Sequence, residues 1–139
     1  MFIIDPEKNS IRPLKRETFS DLGYREREHL QERIAKHPEC LGEELLIIGK
    51  EFDGWIETRE RLDLLALDKS GNVVVIENKL DDSGKDVVWQ SLKYAAYCST
   101  LIKTDVLSIF RRHLGEKSGE AEERVADFLS GTEDIETAE

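Results

Sequence analysis

Two acidic residues and one lysine interrupt two neighbouring apolar stretches of the sequence. Asp63 lies in the first stretch, and Glu77 and Lys79 lie in the second. A glycine-containing loop of about five residues joins the two stretches, which is typical of a β-hairpin. If the strands pair about Ser70, Asp63 lies opposite Glu77, because each is seven residues away from Ser70. Side chains alternate along a strand, so Glu77 and Lys79 share a face and we expect all three charged groups to meet.

Carboxylates that are buried side by side destabilise a fold unless a cation lies between them. Asp63 and Glu77 interrupt strands that are otherwise apolar, so both carboxylates are expected to be largely buried. A hard divalent cation resolves this conflict, since Mg²⁺ typically binds one or two carboxylates, several waters and a substrate phosphate. The pattern therefore predicts a Mg²⁺ (or Mn²⁺) site at these two acids. Ordinary ion pairs between Lys79 and either acid are the alternative interpretation.

The predicted elements around the hairpin alternate between helix and strand. Ser20 is a suitable N-cap for a helix over about 21–36, which ends before Pro38. Residues 45–52 form an apolar run that predicts a first strand. Both hairpin strands are apolar on both faces, which indicates a central hairpin that is covered on both sides. A further helix is predicted over about 85–101. Its apolar stripe consists of Val88, Leu92, Ala95, Ala96 and Leu101.

The chain of 139 residues is long enough for one domain with a single core. We divide it into an irregular lead-in, a core, a helical extension and an acidic tail that we expect to be disordered, over 1–17, 18–103, 104–130 and 131–139. The extension carries two amphipathic helical patterns, over 104–115 and 119–130. In the first of them, Val106, Phe110 and Leu114 favour helix over strand.

The formal net charge of −10 is concentrated towards the C-terminus. Residues 1–103 carry 16 basic and 20 acidic residues, whereas residues 104–139 carry 4 and 10. This acidic balance argues against strong non-specific binding of nucleic acid, which depends on lysine and arginine. It does not exclude nucleic-acid chemistry, because the acids that would bind a metal are counted without that metal.

The sequence also indicates a cellular compartment. It has no run of about 18 apolar residues, so no membrane span is predicted. The start, Met1 to Pro6, lacks the basic region and long apolar core of a signal peptide. Cys40 and Cys98 are far apart and unpatterned, so we expect two reduced thiols and no disulfide or zinc site. Together these features predict a cytoplasmic protein.

The hairpin residues resemble those of a known group of enzymes. Asp63 and the run Glu77-Asn78-Lys79, with the hairpin between them, resemble the PD-(D/E)XK, or restriction-endonuclease-like, nuclease superfamily. The run Gln90-Ser91-Leu92-Lys93-Tyr94 is similar to the Gln-x-x-x-Tyr element of its exonuclease-like branches. The pattern is most similar to the catalytic domains of NucS-type endonucleases and related uncharacterised bacterial proteins, over about residues 24–102.

The resemblance implies an α/β fold whose core is a helix, a three-stranded mixed sheet with a central hairpin, and a helix, followed by C-terminal helices. It implies Mg²⁺- or Mn²⁺-dependent hydrolysis of DNA phosphodiester bonds, in repair or in defence against foreign DNA. The carboxylates of Asp63 and Glu77 and the main-chain carbonyl of Asn78 would bind the metal. Lys79 would lie beside the scissile phosphate, where it orients or deprotonates the attacking water and offsets charge in the transition state.

The resemblance implies roles for further side chains. Gln90 would face the site from the following helix, and Tyr94 would lie near it one turn later. The superfamily often adds a glutamate from the first helix, and of Glu28 and Glu32 we favour Glu28. The candidates for substrate contacts are Arg61, Lys93 and Tyr94.

The sequence departs from the family pattern in two places. Leu62 replaces the usual proline before the first acid. The fourth core strand is not evident after the second helix, which would leave a sheet edge exposed. A second copy of the chain, forming a homodimer, or a further C-terminal segment of a longer protein would cover that edge. Two other functions stay open: a non-catalytic module that keeps the nuclease fold and binds nucleic acid or protein, and a helical interaction scaffold.

Overall fold

The computed structural model describes residues 1–53, 61–80 and 85–131. Its strands are β1 (Phe2–Asp5), β2 (Ser10–Pro13), β3 (Leu45–Phe52), β4 (Leu62–Asp68) and β5 (Val73–Ile76). Its helices are α1 (Glu32–Lys36), α2 (Lys85–Cys98), α3 (Lys103–Leu114) and α4 (Ala121–Ser130). A π-helical turn, Glu26–Gln31, leads directly into α1, and 3₁₀ turns lie at Pro38–Leu41 and Gly115–Glu120. The acidic tail after Gly131 lies outside the described residues.

Strands β3, β4 and β5 form one sheet with β4 in its centre. Leu64 lies opposite Ile76 and Leu67 lies opposite Val73, so the hairpin pairs about Ser70 as predicted. Both pairings in this sheet are antiparallel. The expectation of a mixed sheet is therefore wrong for the described strands, because each strand runs back along its predecessor without a crossover. β5 is an edge strand of the described sheet, so only the β4 half of the hairpin is central.

Strand β4 is buried on both faces, as its apolar sequence predicted. Leu65 packs in a cluster with Ile48 of β3 and Phe110 of α3. Leu64 packs in a second cluster with Ile34 of α1. Leu64 and Leu65 are both fully inaccessible, with 0% exposure. Because α3 supplies part of the first cluster, the segment that we assigned to a helical extension belongs to the same core as the sheet.

We expected the lead-in to be irregular, but it forms a small antiparallel hairpin from β1 and β2. Its strands are rich in isoleucine, which favours extended backbone, and the chain reverses with Asn9 in the left-handed region at φ 45°. Most of this hairpin is exposed, including Ile4 and Ile11 at 72% and 66%. The alternation that would mark a buried strand is therefore missing, which explains why the sequence pattern did not reveal it.

The first helix begins later than the sequence predicted. Thr18 and Asp21 form reciprocal side-chain to backbone hydrogen bonds of 3.1 and 3.4 Å, which stabilise a turn where we expected an N-cap. Gly23 then takes the left-handed conformation at φ 66°, which a continuous helix cannot include. The helical segment starts only at Glu26, and it ends at Lys36 before the proline, as predicted.

Helix α2 turns a different face towards the sheet than we expected. Tyr94 and Cys98 are buried, at 2% and 7% exposure, and they join the cluster around Phe110. Val88 and Leu92, from the predicted stripe, are 58% and 57% exposed. The prediction of the buried face was therefore wrong. This helix carries apolar residues on two sides, and the side that holds the large tyrosine is the one that packs.

The remaining helices agree with the sequence patterns. Residues 106–110 are helical within α3, and no described residue after α2 forms a strand. Gly49 of β3 lets α3 lie close to the sheet, because a Cβ at this position would be 3.3 Å from Cγ2 of Ile109. None of the described helices is both long and apolar enough to cross a bilayer.

Candidate active site

The β4–β5 hairpin brings Asp63 and Glu77 together. Leu64 and Ile76 form the last pair of the ladder, and the next position in the same register places Asp63 opposite Glu77. The backbone N–H of Asn78 donates a hydrogen bond of 2.8 Å to Oδ2 of Asp63, which ties the two strands together at this point. The predicted meeting of the two acids thus follows from a register that the hairpin loop fixes.

Glu77 is one of the most deeply buried charged groups among the described residues, with a side chain only 5% exposed. Its Oε1 accepts a hydrogen bond of 2.9 Å from Nζ of Lys79, whose side chain is 27% exposed. Its Oε2 is also buried, and no described group donates a hydrogen bond to it. A buried carboxylate oxygen without a donor is costly. One lysine therefore satisfies only half of this carboxylate.

The surroundings of Asp63 disfavour the charged form of its carboxyl group. Burial raises the pKa of Asp63, and the carboxylate of Glu77 raises it further. The N–H of Asn78 and the cations of Lys79 and Arg27 lower it, but the net pKa lies above the ordinary 3.8. A group whose charged form is disfavoured in this way is stabilised by an added cation.

Lys79 is a cation at neutral pH. Burial lowers its pKa, but the hydrogen bond to Glu77 and the charges of Glu77, Glu26 and Asp63 outweigh this effect. The net pKa of Lys79 is raised above 10.5. An ammonium group in this state suits charge stabilisation better than proton abstraction.

The residues present fit a hard divalent cation. The described residues contain no cluster of three or more histidine, cysteine, aspartate or glutamate side chains that could hold a metal. The predicted donor set is smaller, namely the carboxylates of Asp63 and Glu77 and the main-chain carbonyl of Asn78, and it suits Mg²⁺, which keeps several waters. The unsatisfied Oε2 of Glu77 supports such a site, because a cation would supply the partner that this oxygen lacks.

Helix α2 contributes two of the predicted residues in different ways. Oε1 of Gln90 is buried and accepts no hydrogen bond from the described residues, so it is a second unsatisfied acceptor. Tyr94 is 2% exposed, and its hydroxyl donates a hydrogen bond of 3.0 Å to the carbonyl oxygen of Arg61. Tyr94 therefore supports the start of β4 from inside the core, and its contact with substrate stays a prediction. Nζ of Lys93 lies 5.6 Å from the centre of the Tyr94 ring.

The structure does not bring Glu28 to this group. The carboxylate of Glu28 is 60% exposed and pairs with Arg25 at 2.8 Å. Glu26 takes the place that we expected for Glu28, because its Oε1 accepts a hydrogen bond of 2.8 Å from the backbone N–H of Leu80, next to Lys79. The helical segment begins five residues later than predicted, at Glu26 rather than at 21, and Glu26 is the glutamate that reaches the hairpin.

The site is bordered by further charged and polar residues, which the sequence patterns did not single out. Glu51 of β3 interacts with Arg27, Gln31 and Arg61. The sequence predicted strand β3, which carries Glu51. It did not predict the register of β3 against β4, which places Glu51 beside Asp63. Comparisons of the chain with protein-family models, curated proteins and solved structures found no match.

Proposed function

We propose that this chain is a metal-dependent nuclease that hydrolyses DNA phosphodiester bonds, with a site of the PD-(D/E)XK type. The observation that carries the proposal is the buried and unsatisfied Oε2 of Glu77, which directly follows the last ladder residue of β5 and lies opposite Asp63 in the same register. A site made only for structural ion pairing has no need of a second acid beside an incompletely paired one. The raised pKa of Asp63 supports the same proposal, because burial and the neighbouring carboxylate of Glu77 disfavour the charged form that a bound cation would stabilise.

In this proposal, Asp63, Glu77 and the carbonyl of Asn78 hold Mg²⁺ or Mn²⁺. The metal, when bound, would polarise the phosphoryl oxygen and acidify the attacking water. Lys79 offsets the negative charge that develops on the transferred phosphoryl group, since Glu77 keeps it positioned and protonated. Oε1 of Gln90 accepts a hydrogen bond from a water molecule and so orients it.

The experiment is a cleavage assay with Mn²⁺ or Mg²⁺ on single-stranded, duplex and branched DNA. Wild type should cleave at least one of these substrates, and EDTA should stop the reaction. Asp63→Asn and Glu77→Gln should each reduce the rate by about 100-fold or more, because each removes a carboxylate donor of the metal. Glu116→Gln is the matched control, since Glu116 is an exposed acid outside the site and its variant should keep full activity. Equal rates for Glu77→Gln and Glu116→Gln would reject the proposal.

A non-catalytic module is the second candidate. It is favoured by the pairing of Glu77 with Lys79 and of Asp63 with the N–H of Asn78, since these contacts partly satisfy both acids without a metal. Such a module would bind DNA or protein without cleavage, and its melting temperature would not respond to millimolar Mn²⁺. A metal-dependent rise in melting temperature that Asp63→Ala abolishes would decide for the nuclease.

A further inference from the structure

Glu51 lies directly beside the proposed site, on the side away from Glu77. In the β3–β4 ladder, Lys50 lies opposite Leu64 and Phe52 lies opposite Leu62, so the residue between them, Glu51, lies opposite Asp63. The β4–β5 register places Glu77 on the other side of Asp63. The registers therefore place the three acids side by side across the sheet, with Glu77 one residue beyond the end of β5.

Glu51 differs from the other two acids because its partners are arginines. Its Oε2 lies 3.5 Å from Nη1 of Arg61, and its Oε1 lies 3.7 Å from Nε of Arg27. Nε2 of Gln31 donates a hydrogen bond of 3.3 Å to the same Oε1. Since the described residues contain no metal-holding cluster of three such side chains, these contacts indicate that Glu51 holds two guanidinium groups and not a second cation.

The two arginines are suited to bind an anion. Arg27 and Arg61 have side chains that are 65% and 51% exposed, and their distances from Glu51 are long for an ion pair. Each guanidinium therefore keeps donors for another acceptor, and two guanidiniums on one carboxylate leave a net positive charge. Arginine binds phosphate oxygens through parallel N–H donors, and one phosphodiester group carries the single negative charge that would balance this cluster.

Two further observations mark this cluster as more than a surface ion pair. Glu51 has a backbone φ of 51°, a left-handed conformation that is disfavoured for residues other than glycine. Gln31 is only 1% exposed, yet its Oε1 finds no hydrogen-bond donor among the described residues. The chain thus keeps both a disfavoured backbone and an unsatisfied buried acceptor in order to hold this arrangement beside Asp63.

We infer that Arg27 and Arg61, positioned by Glu51 and Gln31, form a subsite for a DNA phosphate adjacent to the phosphate that is cleaved at Asp63 and Glu77. The inference rests on the proposed nuclease function for the identity of the ligand. Arg61 precedes Asp63 by two residues, so a phosphate bound there lies next to the metal site. The subsite fixes the DNA backbone relative to the acids, and Glu51 acts as a positioning residue.

The test measures binding of the full chain to a fluorescein-labelled DNA duplex and to its single strand, with Ca²⁺ in place of Mg²⁺. Arg27→Ala and Arg61→Ala should each weaken binding by about tenfold, because each removes charge-assisted hydrogen bonds to a phosphate. Each should also reduce the slope of log affinity against log salt by about one. Arg124→Ala is the matched control, since the exposed side chain of Arg124 in α4 pairs with Glu120, and it should match wild type in both quantities.

Two conservative variants distinguish the effect of the position of the guanidinium groups from the effect of their charge. Arg61→Lys keeps the charge but not the planar donors, so it should weaken binding while the salt slope stays near that of wild type. Glu51→Gln removes an anion from the cluster, so DNA should bind at least as tightly, whereas kcat should fall by about tenfold because the guanidiniums lose their anchor. A wild-type kcat for Glu51→Gln would overturn its positioning role.

The outcomes distinguish this inference from the proposed function. Arginine-dependent binding without cleavage would support the subsite and reject the nuclease. Cleavage with wild-type affinity and salt slope in both alanine variants would support the nuclease and reject the subsite. Wild-type protein that neither binds nor cleaves either DNA would reject both.

Discussion

The hydroxyl of Tyr94 in α2 donates a hydrogen bond of 3.0 Å to the carbonyl oxygen of Arg61, two residues before Asp63. This contact links the helix that carries Gln90 to the point where β4 enters the sheet. Both ends of the link are well placed, since Tyr94 is 2% exposed and the next residue of the strand, Leu62, is fully buried. Helix α2 and strand β4, which carries Asp63, are therefore held in a fixed relation by one side chain.

Tyr94→Phe should lower the free energy of unfolding by about 1 kcal/mol, because it removes one hydrogen bond and leaves the ring packing intact. Urea denaturation monitored by circular dichroism measures this change. The cleavage rate should fall less than in Glu77→Gln, since the helix is still packed by the ring and by Cys98. A variant with unchanged stability would show that the hydroxyl does not hold the strand.

Asp63→Asn should raise the melting temperature of the metal-free protein at pH 7. The pKa of Asp63 is raised by burial, so the folded state binds this proton more tightly than the unfolded state does. Stability from this group is therefore complete below the unfolded pKa near 3.8 and is lost as pH rises through the folded pKa. Asparagine still accepts the hydrogen bond from the N–H of Asn78 but carries no charge. The variant therefore does not lose this stability as the pH rises.

The same pair of proteins tests the metal site by differential scanning fluorimetry in EDTA and in Mn²⁺. Mn²⁺ should raise the melting temperature of wild type and of Glu116→Gln, but not that of Asp63→Asn. If Asp63→Asn melts below wild type in EDTA, the negative charge of Asp63 stabilises the metal-free fold and our account of the site is wrong.

The strands of the sheet could be predicted from the sequence because their signals are local. The apolar run of β3 and the short loop around Ser70 leave few alternatives, and the loop alone fixes which residues of β4 and β5 face each other. The face of α2 could not be predicted in this way. Its sequence offers two apolar sides, and only the tertiary partners of Tyr94 and Cys98 decide which side is buried.

The candidate site was predictable to the extent that it lies on one hairpin. Asp63, Glu77 and Lys79 are brought together by a single local register. Glu26 and Glu51 come from other elements, and their positions depend on where a helix begins and how β3 aligns with β4. Gly23 and the register shift between Ile47 and Gly49 determine those alignments, and neither leaves a periodic signal in the sequence.

His113 should make the fold less stable on the acid side of neutrality. Burial and the nearby cation of Lys50 lower the pKa of His113 below 6.5. The unfolded state therefore takes up this proton first, and stability is lost as pH falls from 6.5 towards the folded pKa. Urea denaturation across this pH range should show a flatter profile for His113→Asn, whereas His37→Asn should keep the slope because His113 is intact. Parallel profiles for wild type and His113→Asn would contradict the prediction.

The two thiols should react very differently. Cys40 is exposed, whereas Cys98 is buried and burial raises its pKa to about 11. A thiol reagent such as dithionitrobenzoate at pH 8 should modify one cysteine per native chain and two in guanidinium chloride, because the thiolate is the reactive form. Cys40→Ser should show no fast reaction before unfolding. Rapid modification of Cys98 in native protein would mean that α2 separates easily from the sheet.

The left-handed backbone of Glu51 has a consequence for laboratory evolution of this chain. Glycine adopts this conformation without steric cost, so a library selected only for heat resistance should accumulate Glu51→Gly. The thermostable clones should then bind DNA at least as tightly but cleave it more slowly, since glycine cannot anchor the two guanidiniums. Selection for thermostability would thus favour glycine at position 51, whereas selection for catalysis would favour glutamate.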